Sequence, residues 1–277
     1  MIFAIDSFSF YKHFGRHWFK PEKPVDIRWY CDKCLQIGAG GLHIDPYHID
    51  MENEYDRVMD FAEENGMYVE LGACGTAPSD LQPYIEAAGR RGVRILRTFV
   101  GGSCLDSRET IKERVSKARQ ELMEVLPLAE KNGVMIAVEN HGDIFIEDME
   151  YIMGIGSDSL GICFDSGNFA FTDEDPLKAL ELFSNRIVCT HLKDVCRESF
   201  YPDSKPFETV AEPVHFCALG EGYFPMEDII KKIVDIGMNK ITLEICTPVI
   251  NGICENEQLN NEIDAVIRSI DYLESMT

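Results

Sequence analysis

Residues 129–139, A-E-K-N-G-V-M-I-A-V-E, join the end of a helix to a strand. Gly133 marks the junction, because glycine just past a helix adopts the left-handed conformation that caps the last carbonyls at little cost. The apolar run that follows closes on a carboxylate, Glu139. Burying a bare carboxylate is costly, so Glu139 must be hydrated, paired or bound to something positive.

The same order of helix, glycine and strand recurs at 35–44 (L-Q-I-G-A-G-G-L-H-I), 62–71 (A-E-E-N-G-M-Y-V-E-L), 88–97 (A-G-R-R-G-V-R-I-L-R) and 234–244 (V-D-I-G-M-N-K-I-T-L-E). Such a repeat predicts an α/β protein with parallel strands. Strands are expected at 2–6, 41–45, 67–71, 93–98, 134–139, 160–165, 186–191 and 240–245. Helices are expected at 23–37, 52–65, 79–91, 107–132, 146–155, 175–183, 225–237 and 257–275. Eight strand–helix units without a Pro/Ser-rich linker predict a single (β/α)8 TIM barrel over residues 1–277. An open doubly wound sheet is the alternative, and it would usually show a glycine-rich phosphate loop after its first strand. Here the first strand runs instead into the bulky S-F-S-F-Y-K-H-F-G-R-H-W-F of residues 7–19.

With 45% hydrophobic and 27% charged residues the chain has an ordinary soluble composition, but its formal net charge is -22. So acidic a surface repels polyanions, which argues against nucleic acid and anionic membranes as partners. No stretch approaches the roughly 18 apolar residues of a membrane helix, and the N-terminus has no basic leader segment. Most of the ten cysteines stand in or beside apolar runs, and Cys31 and Cys34 form a lone C-x-x-C without a second pair. A reduced, cytoplasmic protein is the expectation.

Catalytic groups of a barrel come from the C-terminal ends of its strands. Those ends are expected to present Asp6, Asp45, Glu70, Arg97, Glu139, Asp165, His191 and Glu244. The last four come from consecutive strands, in I-A-V-E-N-H, G-I-C-F-D-S-G-N, V-C-T-H-L-K-D and I-T-L-E-I-C. Three facing carboxylates repel unless protons or a cation intervene. With one imidazole they suit one divalent metal ion, Mn2+ first, with Mg2+, Co2+ or Zn2+ as alternatives.

These four segments resemble the metal-binding strands of the xylose-isomerase-like barrel superfamily, and the resemblance covers essentially the whole chain. The group contains sugar isomerases, ketose 3-epimerases, inosose dehydratases and isomerases, hydroxypyruvate isomerases and apurinic endonucleases. The resemblance implies that Glu139, Asp165, His191 and Glu244 are metal ligands. It also implies that Glu139 and Glu244 move a proton beside a carbonyl through an ene-diolate, with Lys193 of H-L-K-D stabilising negative charge. The substrate would be a neutral sugar or cyclitol, and a homo-oligomer is common in such relatives. Arg97, Asn168, His215 and Glu221 are the candidate substrate contacts, the last two from an irregular segment at about 195–224 expected to roof the cavity.

Other readings stand beside this one. A dehydratase begins with the same proton removal, and a carbon–carbon lyase acting on oxidised C-glycosides uses a similar site in some of the resembling proteins. A sugar-binding barrel without chemistry is a reading of another class, and the intact Glu139 and Glu244 argue against it. The endonuclease branch is disfavoured, because it wants Asp-x-x-His where this chain has Asp165-Ser-Gly-Asn168 and Asp-x-His where it has Pro213-Val214-His215. Glu70 and Asp45 are expected to pair with neighbours, and His141 to stand outside the ligand set. His13 and His17 either cap the substrate or belong to a subunit interface. Arg108, Lys112, Arg114 and Lys117 are read as a solvated helix face.

Overall fold

The computed structural model describes residues 1–276, the side chain of Glu198 excepted. Eight strands close into a barrel: β1 (Ile2–Asp6), β2 (Gly41–Ile44), β3 (Tyr68–Gly72), β4 (Ile95–Thr98), β5 (Met135–Glu139), β6 (Leu160–Asp165), β7 (Ile187–Leu192) and β10 (Lys240–Leu243). The remaining two, β8 (Asp194–Arg197) and β9 (Val214–Cys217), form a separate ribbon. The strand order around the barrel is β1-β10-β7-β6-β5-β4-β3-β2, and the paired strands run parallel. Strand β6 is buried along its whole length. That is the reason its sequence reads as a continuous apolar run rather than an alternating one, since parallel strands are covered on both faces.

The helices are α1 (Tyr11–Phe14), α2 (Ile27–Gln36), α3 (Tyr55–Glu64), α4 (Pro78–Arg91), α5 (Arg108–Asn132), α6 (Ile146–Met153), α7 (Phe169–Thr172), α8 (Pro176–Phe183), α9 (Met226–Asp235) and α10 (Glu255–Ser275). Gly133 ends α5 at φ +67°, as its place before β5 predicts. The second helix starts at Ile27 rather than at 23, because Asp26 caps it by accepting from the Trp29 amide at 3.0 Å. The third starts at Tyr55 rather than at 52, because Asp50 Oδ1 takes the amides of Glu52 and Asn53 into a turn. Among the described residues no helix is long and apolar enough to cross a membrane.

Two compact units are present. The first comprises Met1–Val69, His191–Glu208 and the chain from Glu212 on; the second comprises Glu70–Thr190 and Thr209–Ala211. In the first, Tyr30 of α2 donates to the carbonyls of Ile5 and His43, at 2.6 and 3.0 Å, and ties β1 to β2. Glu262 of α10 is fully buried and accepts from the amides of Lys12 and His13. Its carboxylate also lies 2.5 Å from His13 Nδ1, and the His13 ring stacks on Trp29 at 4.6 Å. His13 is therefore a buried anchor between α1 and α10.

In the second unit, Ala137, Cys163 and Cys189 form a core cluster of small side chains. Arg108 binds Asp148 and Glu147, while Arg114 binds Asp106 and the Asp143 carbonyl. These two arginines thus tie α5 to its neighbours, so that helix face is not simply solvated. Ten free cysteines complete the picture, all but Cys74 and Cys254 buried.

The segment expected to be irregular at about 195–224 holds the antiparallel ribbon β8–β9, with Val195 opposite Phe216 and Cys196 opposite His215. Four-residue strands set so far apart in sequence leave no hairpin signal to read.

Candidate active site

In the first unit, His191 stands near the end of β7 and Glu244 just beyond β10, and the register pairs His191 with Thr242. Both side chains are buried. His191 Nδ1 lies 2.8 Å from Glu244 Oε2, and Lys193 Nζ lies 2.7 Å from Glu244 Oε1. One carboxylate therefore meets an imidazole on one oxygen and an ammonium on the other.

The opposite edge of the His191 ring faces two residues that sequence reading left outside the site. His191 Nε2 is 3.7 Å from Asp6 Oδ2 and 3.4 Å from His43 Nδ1, while His43 Nε2 is 3.6 Å from the same Asp6 oxygen. The two imidazoles meet edge to face, 4.5 Å apart. Asp6 was legible as a strand end. His43 was not, because it is the last but one residue of an apolar strand and reads as a core histidine.

In the second unit, Glu139 ends β5 and Asp165 ends β6, and both are fully buried. Arg97 Nε donates to Glu139 Oε2 and the Asn168 side-chain amide donates to Oε1 at 2.8 Å. The guanidinium of Arg97 also lies 4.9 Å from the ring centre of Phe99, which itself stacks on His141 at 4.0 Å. Arg97 and Asn168, two of the candidate substrate contacts, thus both meet Glu139.

Asp165 Oδ1 takes the amides of Gly167 and Asn168, at 2.9 and 3.0 Å, which turns the chain sharply after β6. Asn140 adds a reciprocal clasp: its side chain donates to the Asp165 carbonyl at 2.8 Å and accepts from the Asp165 amide at 2.9 Å. Sequence reading missed Asn140, whose only signal was its place beside Glu139.

The ribbon positions the remaining candidates. His215 on β9 is fully buried, 3.2 Å from Ser204 Oγ and edge-on to Tyr201. Asp194 on β8 takes the amides of Gly220 and Gly222 on Oδ2, at 2.9 and 3.0 Å, and so folds the following loop back on the ribbon. Burial raises the Asp194 pKa against the pull of these amides. Glu221 in that loop forms an ion pair with Arg268 of α10, 2.6 Å from Oε1 to Nε, on a partly exposed face. A long loop alone does not say which way a given side chain turns.

The comparisons with known proteins agree with this architecture. A 3-oxo-isoapionate decarboxylase from Pectobacterium atrosepticum is 28% identical over 190 residues, 67% of each chain. An inosose dehydratase from Clostridium perfringens is 27% identical over 115 residues, 39% of each chain. Among solved structures, a D-psicose 3-epimerase with D-tagatose from Clostridium cellulolyticum H10 superposes with a TM-score of 0.68 at 14% identity, over 100% of this chain and 99% of that one. The zinc-bound IOLI protein superposes with a TM-score of 0.69, also at 14% identity, over 98% and 99%. The family model of xylose isomerase-like TIM barrels matches residues 76–276, and the chain belongs to that family.

Proposed function

We propose that the protein is a divalent-metal-dependent isomerase or epimerase of a neutral sugar or cyclitol, acting by proton transfer at the carbon beside a carbonyl. One observation carries this reading. Two buried glutamates at barrel strand ends, Glu139 and Glu244, are each oriented by a cation, Arg97 and Lys193 respectively.

The donor set fits a metal. Glu139, Asp165, His191 and Glu244 are all buried and each offers a ligand atom. Their strands are consecutive in the barrel order β5-β6-β7-β10. Three carboxylates and an imidazole suit Mn2+, with Mg2+, Co2+ and Zn2+ as alternatives. The zinc of the IOLI protein supports a divalent ion here as well. When bound, such an ion supplies Lewis-acid polarisation of the substrate carbonyl.

The chain's own groups supply the rest. Glu139 removes the proton next to the carbonyl, and Glu244 returns one to the resulting ene-diolate. Arg97 and Asn168 hold the two oxygens of Glu139 in a fixed orientation. Lys193, beside Glu244, stabilises the developing charge on a substrate oxygen. Arg97, Asn168, His215 and Glu221 are the candidates for contacts with substrate hydroxyls.

The test is deuterium exchange. With Mn2+ and a panel of ketoses and inososes in deuterated water, one substrate is expected to take deuterium at a single C–H. Glu139→Gln and Glu244→Gln are each expected to abolish it. Exchange that persists in both variants would overturn the acid/base pair.

A second reading is a lyase, favoured by the decarboxylase and dehydratase among the sequence relatives. In a dehydratase a hydroxide leaves after the same proton removal. In a decarboxylase the bond from the keto-sugar carbon to a carboxylate breaks in place of the C–H bond, its electron pair forms the ene-diolate, and a proton is then added. Product mass separates the two: an isomerase conserves it, while a lyase loses water or carbon dioxide.

A further inference from the structure

A second set of ligand-type side chains lies in the first unit, in the loops that follow α1 and β2. His17, Asp45 and His48 each offer a ligand atom, all within 4.8 Å of one another. The set shares no residue with Glu139, Asp165, His191 and Glu244.

The two imidazoles point their Nε2 atoms at each other, 3.2 Å apart. With metal–nitrogen bonds of about 2.0–2.1 Å, two corners of a tetrahedral zinc site stand roughly 3.3–3.4 Å apart. The observed spacing is close to that edge.

The surroundings hold both rings in place. His48 is buried and stacks on Phe14 with centroids 4.0 Å apart and an interplanar angle of 6°. Its other nitrogen, Nδ1, lies 3.0 Å from Ser7 Oγ, the hydroxyl that accepts the Asp45 amide at 2.9 Å. A fixed partner on Nδ1 is the usual way a ligand histidine is oriented to present Nε2. His17 packs edge-on against Phe8 at 4.6 Å and Tyr47 at 5.5 Å. Asp45 is aimed by the Tyr47 amide, which donates to its Oδ1 at 2.9 Å. Two cations stand nearby and oppose a bound ion, Lys20, which donates to the Gly15 carbonyl at 2.6 Å, and Arg16, which donates to the Tyr47 carbonyl at 2.9 Å, while the Asp45 carboxylate favours it.

We propose that His17, Asp45 and His48 form a second metal site, which takes a late first-row divalent ion, zinc first. Two imidazoles and one carboxylate are a zinc-type donor set that keeps a position open to water. Because His17 comes from the loop after α1 and the other two from the loop after β2, the ion clips these loops together.

The experiment is metal content per chain. Full-length protein is stripped with a chelator, dialysed against excess zinc chloride and then against buffer, and its zinc is counted by mass spectrometry. Wild type, His17→Asn, Asp45→Asn and His191→Ala are compared. Wild type is expected to hold about one zinc more than either His17→Asn or Asp45→Asn, and His191→Ala is expected to keep that zinc. Melting temperature is a second readout: zinc should raise it in His191→Ala and raise it less in His17→Asn. Full zinc content in both His17→Asn and Asp45→Asn would overturn the site and leave a plain imidazole–imidazole hydrogen bond. Wild-type zinc that is lost entirely in His191→Ala would overturn it too. Zinc lost in both His17→Asn and Asp45→Asn but kept in full by His191→Ala would uphold this site and count against the four-ligand set instead.

Discussion

Lys193 and Glu244 form a buried ion pair, 2.7 Å from Nζ to Oε1. The lysine also lies 5.3 Å from the ring centre of Phe216 on β9, so the ribbon backs the ammonium while the barrel strand presents the carboxylate. Removing the charge but not the stem separates a chemical role from a packing one. Lys193→Met is expected to slow substrate C–H exchange by roughly 10²–10³-fold, as loss of one charge-stabilising donor does. The measurement is the exchange rate at saturating substrate, with metal content checked in the same sample.

Glu262 gives a prediction about stability. Its buried carboxylate gathers the Lys12 and His13 amides and the His13 ring. Glu262→Ala leaves all three without their acceptor, and breaking a buried pair of this kind costs about 3–5 kcal/mol. Urea unfolding is expected to show a lower midpoint with an unchanged slope. A midpoint within error of wild type would mean that α10 is held by its apolar face alone.

Asp143 gives a prediction about pH. It is fully buried and accepts the Gly101 amide at 2.5 Å on Oδ2. Burial, with a smaller contribution from Glu139, pushes its pKa up to about 6 against the Gly101 amide and Arg114. The folded protein therefore holds this proton more tightly than the unfolded chain. The associated stability is present at acid pH and is lost as pH rises through about 6. A pKa raised from 3.8 to about 6 corresponds to at most roughly 3 kcal/mol. In metal-stripped protein, Asp143→Asn is expected to flatten the fall in unfolding free energy between about pH 4 and 7. The same slope in wild type and variant would assign it to another group.

Asn140 gives a prediction about local order. Its reciprocal bonds with the Asp165 backbone join the ends of β5 and β6. Asn140→Ala leaves the buried Asp165 amide without that acceptor, at a cost of about 1–3 kcal/mol. Hydrogen exchange is expected to rise at the Asp165, Gly167 and Asn168 amides. Unchanged protection there would mean that the turn after β6 holds without the clasp.

The barrel was legible in the sequence because its causes are local. Gly133 after α5 and the apolar run into Glu139 are set by backbone freedom and burial, and the same pattern recurs along the chain. The polar strand ends were legible for a related reason: a carboxylate that closes an apolar run, as Asp165 closes β6, has to be compensated by something. What compensates it is not a local property. Arg97 lies far from Glu139 in sequence, as Lys12 and His13 do from Glu262, and only the folded chain brings these partners within hydrogen-bond range. The same holds for Glu221, whose ion pair with Arg268 no local pattern announces. His43 and His48 stand five residues apart, yet one faces His191 and the other faces His17. Residue type and spacing thus determined which groups need a partner, and the tertiary structure decided which partner each one meets, because a side-chain contact depends on the direction in which distant backbone segments present it.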